Sequence, residues 1–126
     1  MHDATRDFVR ARASYRCEYC QIHETDDIYV LHVEHIIPRK HGGGDTVSNL
    51  ALACHQCNFH RGSNLTGIDP DTEQIIQLFN PREQQWLHHF RYDGAELVGL
   101  TPVGRTTVRV MCINDSDRVQ MRKTLG

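Results

Sequence analysis

Apolar positions recur at helical spacing from residue 4 to residue 15. Ala4, Phe8 and Ala11 share one face there and arginines take the others, which predicts an N-terminal helix. From Ile28 to Glu34 the period changes to two. Tyr29, Leu31 and Val33 alternate with Val30, His32 and Glu34, the pattern of a strand. Pro38 and the run Gly42-Gly43-Gly44 then force a loop. Val47–Leu52 predicts a second short strand, and Cys54–Gly62 a short helix closed by its glycine. Gly67-Ile68-Asp69-Pro70-Asp71 is a turn-rich connector. Beyond it, Glu73–Phe79 predicts a strand and Pro81–Trp86 a short helix with proline at its start. Phe90–Tyr92 and Glu96–Leu100 flank Asp93-Gly94 as the two arms of a hairpin. Thr101-Pro102 can cap a helix running to about Ile113, although the β-branched run Thr107-Val108-Arg109-Val110 favours a strand there. Asp115–Thr124 predicts a terminal helix, and no internal repeat or low-complexity tract interrupts the chain.

Composition narrows the class. With 126 residues and four prolines, one domain is expected, small enough that an extra staple would help it. At 39% hydrophobic and 24% charged residues it is too apolar for a disordered chain. No stretch approaches the roughly 20 apolar residues that span a bilayer, so no membrane partner is expected. The first residues have no apolar core of a secretory signal, which favours a cytoplasmic, water-soluble protein. The net charge of −2 does not by itself point to nucleic acid. Its distribution says more. Arg6, Arg10, Arg12 and Arg16 outnumber Asp3 and Asp7 before residue 17, and Arg39, Lys40 and Arg61 outnumber Asp45 between residues 35 and 64. The segments 17–34 and 65–80 carry only acids among their Asp, Glu, Lys and Arg residues, so a modestly basic strip could meet phosphate.

Four of the five cysteines form two C-x₂-C pairs, Cys17/Cys20 and Cys54/Cys57. Two intervening residues let both sulfurs of a pair reach one ion from a tight turn, as a tetrahedral four-thiolate zinc site requires. Two disulfides or a redox pair are the alternatives. The intracellular reading disfavours the first, and two copies in one small chain disfavour the second. The 33 residues between the pairs exceed a simple zinc ribbon, so something is inserted between the knuckles. Cys112 stands alone and is expected to pack as a small buried hydrophobe.

The insertion holds His32-Val33-Glu34-His35-Ile36-Ile37-Pro38, the glycine loop, then Ser48-Asn49-Leu50; the second knuckle leads into Cys57-Asn58-Phe59-His60-Arg61-Gly62. The order C-x₂-C, acid-His-hydrophobic-hydrophobic-Pro, Gly-Gly, Asn-Leu, C-x₂-C-Asn resembles the HNH nuclease family in its zinc-stapled form. The segments 78–82 and 99–105 are similar to the flanks of stand-alone bacterial members. The resemblance implies an α+β fold: a small ββα-metal core over residues 17–62, stapled by zinc on Cys17, Cys20, Cys54 and Cys57. An N-terminal helix over 1–16 would precede it, and an α/β extension over 63–126 would follow.

The same resemblance implies a DNA endonuclease that hydrolyses phosphodiester bonds. His35 would be the general base, Glu34 and Asn58 would hold a catalytic Mg²⁺ or Mn²⁺, and Asn49 would tie the loop and orient the histidine. Asn58 stands where many relatives carry histidine, which makes the pattern H-N-N. Arg61 shares a helix face with Asn58 and is a candidate phosphate clamp; His60, Arg39 and Lys40 are candidate backbone contacts, with His41 beside them. His55 is expected to be exposed or to stand behind a ligand rather than to bind metal itself, and His32 to pack rather than bind metal. The competing reading is a zinc-stapled nucleic-acid-binding module without catalysis, which would have no need of Glu34, His35, Asn49 and Asn58 together.

Overall fold

The computed structural model describes residues 1–126. Helix α1 (Asp3–Arg12) opens the chain, with Asp3 in its first turn and Arg10 and Arg12 in its last, each opposing the helix dipole. Its inward residue is Val9, fully buried, whereas Phe8 is 51% exposed and Ala4 and Ala11 face solvent. The expected Ala4/Phe8/Ala11 face is therefore corrected. The arginines decide the helix's orientation. Arg12 donates to the carbonyls of Val47 and Leu50 at 3.0 and 2.7 Å, and Arg10 donates to the Leu31 carbonyl at 2.8 Å. Much of the basic charge expected at the N-terminus is thus spent on satisfying backbone.

Strands β1 (His32–His35) and β2 (Leu50–Ala53) form an antiparallel hairpin that pairs His32 with Ala53 and His35 with Leu50. The expected first strand loses its start, because residues 28–30 have no partner chain and stand exposed. The expected second strand likewise begins late. Val47–Asn49 is a single 3₁₀ turn, and all four residues of β2 are buried, covered on both faces instead of alternating. Helix α2 (His55–Arg61) follows directly, with Cys54 as its N-cap.

The remaining chain is a set of antiparallel pairs and short helices. β3 (Thr66–Ile68) pairs with β4 (Ile75–Gln77), so the connector read at 67–71 is half strand. Residues 81–84 form turns, and the helix expected there falls later, as α3 (Trp86–His89). β5 (Phe90–Asp93) and β6 (Glu96–Gly99) close through Gly94 and Ala95, with Gly94 at φ 61° in the first loop position, as a two-residue hairpin turn prefers. Helix α4 (Pro102–Val110) settles the ambiguity at 107–110. Thr101 Oγ1 accepts from the Gly104 amide at 3.1 Å, and Pro102 starts the helix. Gly104 is what lets α4 dock, since a Cβ there would lie 2.1 Å from the His89 carbonyl oxygen. Helix α5 (Ser116–Thr124) ends the chain.

One buried cluster joins these parts. It runs from Val9 through the four knuckle cysteines and β2 to Phe79, Phe90, Leu97, Met111 and Ile113. No helix is long and apolar enough to cross a membrane.

Candidate zinc centre and active site

Cys17, Cys20, Cys54 and Cys57 are all buried, and their sulfurs lie within 4.8 Å of one another. Cys20 and Cys54 sulfurs are 3.7 Å apart. Four Zn–S bonds of about 2.3 Å in a tetrahedron put sulfurs ~3.8 Å apart, so the residues fit a structural zinc. The local turns explain the convergence. The Cys20 amide points at Cys17 Sγ and the Cys57 amide at Cys54 Sγ, both at 3.4 Å, so each knuckle aims its two sulfurs inward. Hydrogen bonds from Cys17, Cys20 and Cys57 draw the Cys54 thiol well below the ordinary range, and burial pushes the Cys17 thiol up. Arg118 lies 3.7 Å from Cys54 Sγ while its guanidinium pairs with Asp27 at 3.1 Å. Cys112, by contrast, is only half-buried and lies outside the tetrad.

The C-terminal half grips the first knuckle by its backbone. Trp86 Nε1 donates to the Tyr19 carbonyl at 2.8 Å, and Tyr92 donates to the Cys20 carbonyl at 2.5 Å. Glu18 pairs with Arg82 and accepts from the Leu52 amide at 2.8 Å, fastening the knuckle to β2.

His35 lies at the end of β1, with its side chain about one-fifth exposed. Its Nε2 is 2.6 Å from Asp45 Oδ1, and Arg39 donates to both Asp45 oxygens at 3.0 and 3.1 Å. Sequence reasoning did not single out Asp45. The available signal was an acid directly after the glycine run, in the loop that must fold back over β1. The bond to His35, with Arg39 adding to it, keeps the Asp45 carboxyl below its usual range, and as a carboxylate it accepts from Nε2. In the neutral ring the lone pair is then on Nδ1.

Asn49 holds that loop. Its Oδ1 accepts from the Ile37 amide at 2.9 Å, and its Nδ2 donates to the Ile37 and Gly44 carbonyls at 3.0 and 2.9 Å. Gly43 is required for this closure, because a Cβ there would meet the Ile37 carbonyl oxygen at 1.6 Å.

Glu34 and Arg61 are placed differently from expectation. Along β1, Glu34 turns toward α2 and His35 to the opposite side. Glu34 is 7% exposed, and burial raises its carboxyl to about 7 against the attraction of Arg61. Its Oε1 has no hydrogen-bond partner and is out of solvent, as are the Tyr19 hydroxyl and Arg61 Nε. Arg61 is 3% exposed and spends its guanidinium on the carbonyls of Ile36 and, at 3.0 Å, of His35. The phosphate clamp expected at Arg61 is therefore corrected: the side chain fixes the backbone of the strand end that carries His35. Asn58 is half-buried on α2, one turn before Arg61, and its side chain makes no hydrogen bond within the protein.

Among the other candidates, Arg39 and Lys40 are exposed, Arg39 being tied to Asp45. His41 Nε2 meets the Ser63 carbonyl at 3.2 Å, and His60 is half-buried with its ring edge-on to Phe59. His55 is exposed, as expected; His32 is exposed too, rather than packed.

Comparison with known proteins bears on this core. Residues 17–64 match the family model of the HNH endonuclease. The resemblance carried by the motifs is thus shown for this segment, and the small mixed helix-and-strand architecture around four clustered cysteines agrees with a ββα-metal fold. The chain is also similar to the Septu protein PtuB of Bacillus thuringiensis, 29% identical over 111 residues. That match covers 82% of this chain, and the chain spans only 38% of the relative's length. No solved structure matches the chain.

Proposed function

We propose that the chain is a DNA endonuclease that hydrolyses phosphodiester bonds with His35 as general base. The observation that carries this reading is the pairing of His35 Nε2 with Asp45 at 2.6 Å. A proton held on Nε2 leaves Nδ1 to take one from a water attacking phosphorus, and a carboxylate behind the ring steadies the imidazolium that results. Arg61 and Asn49 support the same ring indirectly, by fixing the backbone from its own carbonyl to Ile37. The likeness to Septu protein PtuB extends beyond the segment 17–64, and we carry over only the nucleic-acid chemistry of the shared HNH segment.

Phosphodiester hydrolysis also needs positive charge against the developing negative charge, which Mg²⁺ or Mn²⁺ supplies in the reaction expected from the sequence. Asn58, whose amide is unengaged, and Glu34 would hold such an ion; of the Glu34 carboxylate only Oε1 is sealed from water, and the Arg61 guanidinium faces it, so the cation would have to be met by the second oxygen.

The burial of Glu34 and Arg61 favours a second reading, a zinc-stapled nucleic-acid-binding module without catalysis. Nicking of supercoiled plasmid, measured with Mg²⁺ or Mn²⁺ for the zinc-loaded protein and for His35→Ala, separates the two. Cleavage that needs the divalent ion and is lost in His35→Ala supports the nuclease; binding with no cleavage under any ion supports the module.

A further inference from the structure

A cluster of exposed rings lies along β1 and α2, the two elements that carry His35 and Asn58, with Tyr29 from the segment before β1. His32, at the start of β1, lies 5.8 Å from the His55 ring at the start of α2. Tyr29 lies 4.8 Å from His55, and Phe59 lies 6.2 Å away in a near-parallel plane, 20° apart. Phe59 is 70% exposed and Tyr29 is 55% exposed, and both imidazoles face solvent. Side chains of this size left in water are not needed to hold the fold, and an exposed apolar patch of contiguous rings marks a binding surface.

Three observations say what covers it. The patch borders the candidate site along α2, where Phe59 follows Asn58 directly and His55 lies one turn before it; His32 shares the α2-facing side of β1 with Glu34, and His35 takes the other side. Of the cations near the site, Arg61 is buried on backbone carbonyls and Arg39 is paired with Asp45, which leaves the exposed Lys40, in a chain of net charge −2. Affinity for nucleic acid then has less to draw on from phosphate charge, and contacts to bases would have to add to it. The rings supply such contacts, and the cluster contains no carboxylate to repel a backbone. Faces of bases are available to such rings only where the bases are unpaired, because in a duplex they are stacked on one another.

We infer that Tyr29, His32, His55 and Phe59 form a stacking platform for the unpaired bases of single-stranded DNA beside the scissile bond. This rests on the nuclease reading for its placement and names the substrate form of that same site.

The test is binding, read without turnover by fluorescence anisotropy on the zinc-loaded His35→Ala protein. The probes are a labelled oligo-dT of about 12 nucleotides, an abasic oligonucleotide of equal length, and a duplex. Oligo-dT is expected to bind more tightly than the abasic strand or the duplex. Phe59→Ala and Tyr29→Ala should each weaken oligo-dT by about five- to a hundredfold and leave the abasic strand unchanged, with Phe59→Trp restoring affinity. Zinc content and circular dichroism check that these surface variants stay folded. Equal affinity for oligo-dT and the abasic strand overturns the platform, as does indifference to Phe59→Ala or ring-dependent self-association that displaces the oligonucleotide. Ring-dependent binding of oligo-dT by a wild-type protein that nicks nothing overturns the nuclease reading and leaves the platform standing. Nicking of duplex with no ring-dependent binding does the reverse.

Discussion

Replacing Glu34 by glutamine tests the buried placement of this side chain through its effect on stability. The carboxyl has an ordinary value of 4.5 and is raised to about 7 in the folded chain, chiefly because burial penalises the charged form. The unfolded chain releases this proton as pH passes about 4.5, while the folded chain keeps it until about 7. Across that window the folded state binds more protons, so stability falls as pH rises, and it levels off above 7. At ~1.4 kcal/mol per pH unit, the loss amounts to about 3 kcal/mol, a large share of the stability of a domain this size. Glu34→Gln keeps the shape and removes the titration. Denaturant unfolding would be followed from pH 5.5 to 8 in zinc-containing buffer, and the difference between variant and wild type isolates this group from the histidines. The variant should gain on wild type through the window and end about 3 kcal/mol more stable at pH 8, or roughly 10 °C in Tm. A difference that stays flat with pH, or a variant weaker than wild type at pH 8, would refute the buried placement.

Other expectations follow from the same geometry. His35→Ala should cost cleavage about 10²- to 10⁴-fold with zinc content unchanged, and Asp45→Asn should fall in the lower part of that range by releasing the tautomer; plasmid nicking rates check both. Cys54→Ala should lose the metal and the fold together, which elemental analysis and thermal unfolding will report as zinc below one per chain and no cooperative transition. Asp69 is buried and bidentate with the part-exposed Arg105 at 3.0 and 2.9 Å, so Arg105→Met should lower the midpoint of denaturant unfolding, whereas the double change Asp69→Asn with Arg105→Met should recover part of the loss.

Spacing along the chain made the zinc tetrad legible, because two short knuckles dictate where four sulfurs point whatever surrounds them. The hairpin arms at 90–92 and 96–100 and the helix at 54–62 were legible for a similar reason: turn and cap residues act locally. Cover was what the sequence withheld. Alternation gives Glu34 and His35 opposite faces, and it does not say that α2 lies over the first of them. In the same way, Val9 and Phe8 are adjacent apolar residues, and only the arginines' reach to the carbonyls of Leu31 and Leu50 decides which one turns in. Asp45 acquires its partner through a loop closure ten residues long, a contact that no periodicity encodes.

The grip of Trp86 and Tyr92 on the first knuckle, and of Arg118 on the second, has a consequence for modularity. The matched HNH segment ends at residue 64, yet the groups that satisfy the carbonyls of Tyr19 and Cys20 and flank Cys54 come from residues 86–118. Excising residues 17–64 as a portable cassette would leave those carbonyls and the ring of Tyr19 without their cover. The extension is therefore a co-author of the metal centre, and any graft of this domain into another protein has to carry its last third along.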